Sequence, residues 1–130
     1  MNFLWLWAPV ILQMAVIFGV SSLSNPSLPA YVSDKAAHGT GYAMLSFLVI
    51  RAMTGGRFDA TTVRRALVAV VVSALYGASD EFHQQFVPGR TSDLLDLRAD
   101  AFGACLGVIV WYALRLAGIA ASRVRASLRQ

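Results

Sequence analysis

"FLWLWAPVILQMAVIFGVSSL", residues 3 to 23, holds no charged side chain, and the charge-free run continues to residue 33. About 20 apolar residues suffice for a helix to cross a bilayer. In lipid a lone segment must pair its backbone N–H and C=O groups within itself, so the stretch reads as a membrane-spanning helix. Asn25, Pro26, Ser27 and Pro29 then break it into a loop. A cleaved signal would carry a basic segment ahead of its apolar core, and no basic side chain precedes this one.

Working outward, three further apolar segments follow: 36–53, 63–83 and 92–117. Gly55-Gly56 closes the first of these, and Pro88-Gly89 separates the last two. With 57% hydrophobic and 14% charged residues the chain departs far from soluble composition. The expectation is one all-α domain over 1–130. Its four transmembrane helices, roughly 4–23, 35–53, 63–84 and 92–117, form an up-and-down bundle, and 118–130 is a basic cytoplasmic tail.

Charge gives orientation. Arg51, Arg57, Arg64, Arg65, Arg115, Arg123, Arg125 and Arg129 fall in the loop after the second segment or at and beyond the end of the fourth. Set against Asp59 they leave +7, which belongs on the cytoplasmic side and places both termini there. Lys35, Arg90 and Arg98 against Asp34, Asp80, Glu81, Asp93, Asp96 and Asp100 leave −3 at the opposite helix ends. The net +4 therefore reflects topology and contacts with anionic lipid heads, and nucleic acid is not an expected partner.

Depth decides what those polar residues mean. Counting about 20 residues outward from Arg65 brings the helix to the surface near residue 85, so Asp80, Glu81 and His83 lie within the outer leaflet. The same count from Arg115 submerges Asp100 and Asp96. Ionisable groups at such depth face a bundle interior or a wet cavity. Helical spacing aligns Asp34, His38 and Tyr42; Tyr76, Asp80 and His83 or Gln84; and Asp93, Asp96 and Asp100. Gly103 and Gly107 continue the third stripe as GxxxG, and Ala69, Ser73 and Gly77 repeat small-xxx-small spacing.

Other residues have simpler readings. Cys105 reads as a small packing residue; Trp5, Trp7 and Trp111 as interfacial anchors on the cytoplasmic side; Tyr42, Tyr76 and Gln13 as interhelical hydrogen bonders. Ser33 and Thr91 or Ser92 read as N-caps, with Asp34, Asp93 and Asp96 complementing helix dipoles.

"SDKAAHGTGY" at 33–42, "SDEFHQQFVPGRTSDLLD" at 79–96 and "ADAFGACLG" at 99–107 together resemble the three signatures of the VanZ-like family, small integral membrane proteins whose founding member is associated with low-level teicoplanin resistance. The resemblance covers essentially the whole chain. It implies a multi-pass protein of the bacterial cytoplasmic (inner) membrane connected with the cell envelope, and it carries no reaction with it. The family's polar positions fall on Asp34, Lys35, His38, Tyr42, Asp80, Glu81, His83, Gln84, Arg90 and Asp96. Asp100, where the family has Asn as often as Asp, departs from the pattern, and Arg98 beside it reads as its salt-bridge neighbour.

Several roles stay open for this set. Binding of a membrane lipid or lipid-linked cell-wall precursor would use Lys35 and Arg90 on phosphate oxygens, helped by helix N-termini. Acid/base catalysis on a lipid phosphate would use His83 or His38, with Asp80 three residues before His83 to orient it. The sequence holds neither an evident Ser or Cys nucleophile motif nor the lipid-phosphatase pattern. His38, His83 and Glu81 are donor types that suit a divalent zinc or manganese ion, though no H-E-x-x-H spacing supports one, and no other cofactor is expected. A purely structural polar cluster, locking four helices together, accounts for the same residues.

Overall fold

In an apolar surrounding each segment must pair its own backbone groups, which a helix does. The computed structural model describes residues 2–24 and 33–128. The expected loop residues Asn25, Pro26, Ser27 and Pro29, and Arg129, lie outside the described residues. In order come α1 (Phe3–Ser21), α2 (Asp34–Met53), a single 3-10 turn (Phe58–Ala60), α3 (Val63–Gln84) and α4 (Leu94–Ser127), with no strand among the described residues.

Pro9 lies inside α1 and cannot donate to the carbonyl one turn back, that of Trp5. Arg51 at the end of α2 supplies a replacement, its Nη1 donating to Trp5 O at 3.5 Å. Ser33 caps α2, its Oγ accepting from Ala36 N at 3.2 Å, and Thr62 caps α3 by accepting from Arg65 N at 3.2 Å. Asp93 caps α4, with Oδ1 accepting from Leu95 N at 2.8 Å. The carboxylate, in place of the expected Thr91 or Ser92 hydroxyl, takes this role because an anion also complements the dipole. Helix α2 ends in a Schellman motif: Gly56 N donates to Arg51 O (2.8 Å) and Gly55 N to Ala52 O (3.1 Å), with positive φ at both glycines.

Contacts along the helices show alternating direction. Met14 and Ser21 of α1 meet Tyr76 and Asp80 of α3, while Gly39 and Ala43 of α2 lie against Gly103 and Gly107 of α4. Thus α1 runs with α3, α2 runs with α4, and the two pairs oppose each other. Helix α2 is central and touches all three others, most extensively α4; α1 leans on α2 and barely reaches α3.

The seam between α2 and α4 has no room for side chains. A Cβ on Gly103 would overlap the Gly39 carbonyl, and one on Gly107 would overlap the Ala43 carbonyl and Ser46 Oγ. Ser46 Oγ donates to Ala104 O at 2.7 Å across the same seam. On α3 the buried strip is Ala66, Ala69, Ser73 and Gly77, small residues at one-turn intervals.

Large apolar side chains point the other way. Val63, Leu67, Val71 and Leu75 on α3, Phe102, Ile109 and Leu116 on α4, and Leu4, Ile11 and Leu12 on α1 are exposed, whereas buried positions include Asp80, Glu81, Gln84, Asp96 and Asp100. That inverted arrangement suits an apolar surrounding. Among the described residues two helices, α1 and α4, are long and apolar enough to cross a membrane.

Three expectations change here. Trp111 is buried, donating from Nε1 to Thr61 Oγ1 at 2.8 Å and stacked near Phe47 and Phe58, because the 3-10 turn folds back against α4. Cys105 is exposed, one step round α4 from the α2 seam. Residues 118–127 continue α4 as helix, since this Ala- and Arg-rich stretch contains no proline or later helix-breaking pair to stop it.

Candidate functional site

The C-terminal ends of α1 and α3 and the N-terminal ends of α2 and α4 meet, and nearly all the acidic side chains collect there. The turn Val87-Pro88-Gly89-Arg90 shapes its rim. Arg90 N donates to Val87 O at 3.1 Å with Gly89 at φ 79°, a type II turn with proline and glycine in their favoured places. It aims Arg90 at the end of α1, where Nε donates to Leu23 O (3.2 Å) and Nη2 to Val20 O (3.5 Å), a cation on the negative end of the helix. Asp34 Oδ1 lies 3.9 Å from Arg90 Nη1.

Between α1 and α2 opens a cavity of about 230 Å³. Val16, Ile17 and Val20 of α1 and Ala37 and Gly41 of α2 give it an apolar wall. Asp34, His38, Tyr42, Asp80, Ser21, Gln13 and Arg90 give it a polar one. Asp80 is buried, accepting from Ser21 Oγ at 2.6 Å and from Gln84 Nε2 at 3.2 Å. Gln13 Nε2 donates to Gly41 O at 3.1 Å, and Tyr76 Oη donates to Met14 O at 2.7 Å, both interhelical as expected, whereas the Tyr42 hydroxyl, expected to do the same, is buried with no hydrogen-bond partner among the described residues.

Behind the cavity, between α2, α3 and α4, lies a denser cluster. Lys35 Nζ reaches Asp93 at 3.0 Å and Asp96 at 2.7 Å, spanning α2 and the start of α4. Its donation to the exposed Asp93, added to the larger effect of the Leu95 N–H, holds the Asp93 carboxyl below the usual carboxylate range. Glu81 Oε2 accepts from Asp93 N at 3.0 Å, a carboxylate from α3 at the start of α4. His38 Nδ1 lies 2.9 Å from Asp100 Oδ1 and 4.0 Å from Glu81 Oε1. Asp100 is fully buried against Gly77, where a Cβ would come within 2.9 Å of Asp100 Oδ2. Only glycine at 77 leaves this carboxylate its space.

The sequence-derived residues thus divide. Asp34, His38, Tyr42, Asp80 and Arg90 line the cavity; Lys35, Glu81 and Asp96 join the cluster behind it; Gln84 braces Asp80. Lys35 does not form a clamp with Arg90, because two carboxylates hold its ammonium away from the cavity. His83 lies apart from Asp80. Its Nε2 is 3.2 Å from Ser22 Oγ and its ring stacks near Phe18 at 4.6 Å, because position 84, one helical turn after 80, and not 83, continues the Asp80 face. Arg98 is exposed and forms no ion pair among the described residues, so His38 and not Arg98 is the partner of Asp100.

Ser21 and the cavity role of Gln13 were not apparent from motifs. A signal was present: eight residues apart in an otherwise apolar helix, Gln13 and Ser21 share a face.

These features define a class, a small all-helical protein with outward apolar surfaces and a buried ionisable cluster at one end. The chain belongs to the VanZ/LLP1 family, whose model matches residues 13–115 and so takes in every residue of the cavity and of the cluster behind it. No curated protein matches the chain, and no solved structure does.

Proposed function

We propose that this is a four-span protein of the bacterial cytoplasmic membrane, with both termini cytoplasmic, that binds a cell-envelope lipid or lipid-linked precursor in the cavity between α1 and α2. The observation that carries the reading is the cavity's two-sided wall: Val16, Ile17 and Val20 suit an acyl or prenyl chain, while Arg90, His38, Asp80 and Asp34 suit its headgroup. Arg90 supplies the cation for a phosphate oxygen, and the carboxylates and Ser21 suit hydroxyls. Exposed apolar faces on α1, α3 and α4 support four spans, and the arginines collected at the opposite end support the orientation. A role in glycopeptide susceptibility follows from family membership as a proposal of the same rank.

Native mass spectrometry with undecaprenyl phosphate tests the binding. Gly41→Leu fills the apolar wall beside Ile17 without altering a charge and should weaken binding about tenfold or more, whereas Leu75→Ala on the outer face of α3 should leave it unchanged. Equal binding by the two variants contradicts the reading. In a Cys105→Ser background, an impermeant thiol reagent on intact cells should label Gln85→Cys and spare Arg57→Cys; the reverse pattern inverts the topology.

One observation favours a second reading, acid/base chemistry on a bound lipid phosphate. His38 is oriented through Nδ1 by Asp100 at 2.9 Å, lines the cavity, and makes no hydrogen bond through Nε2 among the described residues. That is the arrangement of a positioned base and its orienting carboxylate. Turnover of a lipid phosphate that vanishes in His38→Gln while binding persists would establish it.

A further inference from the structure

Four of the six acids at the polar end are satisfied by a cation or by hydrogen-bond donors. Asp93 and Asp96 share Lys35, Asp34 faces Arg90, and Asp80 accepts from Ser21 and Gln84. Glu81 and Asp100 differ. Glu81 is 4% exposed and its Oε1 has no hydrogen-bond partner among the described residues; Asp100 is 0% exposed and its Oδ2 has none either. Both carboxylates face one imidazole, His38. Buried carboxylates in an apolar surrounding call for a compensating cation or proton, and among the described residues the only basic group within salt-bridge reach is His38.

We infer that His38, Glu81 and Asp100 form a binding site for a divalent transition-metal ion of the zinc or manganese class, held between α2, α3 and α4. One donor atom from each lies within 4.8 Å of the others. Ligands at about 2.0–2.2 Å from one ion stand about 2.8–3.6 Å apart in octahedral or tetrahedral geometry. Of the separations from His38 Nδ1, 2.9 Å to Asp100 lies within that range and 4.0 Å to Glu81 just above it, so closure by a few tenths of an ångström at Glu81 completes the set. One nitrogen and two carboxylate oxygens match zinc or manganese, and a dipositive ion neutralises the two acids. Three protein ligands leave a further position open.

The alternative donor set around His38, Asp34 with Asp96, is poorer. Asp96 is already bonded to Lys35 at 2.7 Å, and Asp34 is exposed near Arg90. With Nδ1 on a cation, the His38 proton resides on Nε2, making the ring a donor towards the cavity and not a base. The site stands whether or not the cavity takes a lipid.

The test uses the full chain in detergent in a Cys105→Ser background, which removes the exposed thiol as a zinc ligand. After chelation and dialysis against Zn²⁺ or Mn²⁺, metal is counted by plasma mass spectrometry and thermal stability is measured with and without the ion. About one equivalent per chain and a rise in Tm with the ion are expected. Asp100→Asn and Glu81→Gln should each weaken binding at least about tenfold and remove the Tm rise, while His83→Ala keeps both. Should Asp100→Asn fail to fold, Glu81→Gln decides alone. Absence of a bound equivalent in the parent protein overturns the inference. So does loss of binding in Asp96→Asn with retention in Asp100→Asn, which moves the ion to the other donor set.

Discussion

Helix α2 is held on one side by α4 and on the other by α1, and the two contacts work by different physics. Against α4 the backbones touch: Gly103 and Gly107 lie on the carbonyls of Gly39 and Ala43, and nothing larger than hydrogen fits. Against α1 the helices stand apart far enough to leave a cavity of about 230 Å³, and polar side chains bridge the gap, Gln13 to Gly41 and Arg51 to Trp5. In an apolar solvent burial of apolar surface does not drive helices together, so close van der Waals contact and hydrogen bonds must. The seam uses the first and provides a fixed frame for His38 and Asp100. The α1 contact uses the second and leaves room for a ligand.

Breaking the seam should have the largest effect. Gly107→Val drives a branched side chain into a backbone carbonyl and Ser46, and overpacking costs about 1–3 kcal/mol, here at the upper end because backbone must move. Thermal unfolding in detergent should show a Tm fall larger than for any α1 variant below; a smaller one means the seam is not the frame.

On the α1 side single bridges should cost less. Ser21→Ala removes the donor at 2.6 Å from buried Asp80 and should cost about 1–2 kcal/mol, since Gln84 remains as a partner. Tyr76→Phe removes the bond to Met14 O and should cost about 0.6 kcal/mol, a typical value for such bonds between membrane helices. If Tyr76→Phe matches Gly107→Val in Tm loss, α1 is integral to the frame and the distinction collapses.

Acid sharpens the comparison further. The Asp93 carboxyl, held below the usual range by the Leu95 N–H and Lys35, favours the folded state above its ordinary value of 3.8. That contribution fades as pH falls through the lower folded value. Lys35→Met should therefore lower Tm at neutral pH, where the contribution is fully present, and converge with the parent as pH falls below 3.8, which flattens the acid-side decline. At the opposite end, the exposed pair of Arg57 and Asp59 joins two residues of one turn, and Arg57→Ala should shift Tm by less than the error of measurement. A clear fall there would show that the arginine end contributes to the frame.

Much of this was legible before any coordinates. The charge-free run, the glycine and proline breaks and the cap at Ser33 follow from local rules, because a helix in lipid must close its own hydrogen bonds. Gly103 and Gly107 were legible as a face for close approach, but not which helix would approach. Asp100 looked doubtful from the family pattern and is the most deeply buried acid. His83 looked central and lies to one side, since three-residue spacing alone cannot distinguish which neighbour of Asp80 continues its face.

Sequence by itself determined that the chain is helical, that polar groups gather at one set of helix ends and arginines at the other, and which family it belongs to; all of these rest on local pattern and composition. Only the tertiary structure decided that the polar residues form two places and not one. Lys35 is drawn to Asp93 and Asp96 behind α2, while Arg90 is drawn to the end of α1 in front of it. Pairing of charges depends on distances across helices, and those were set by where glycine lets two backbones meet.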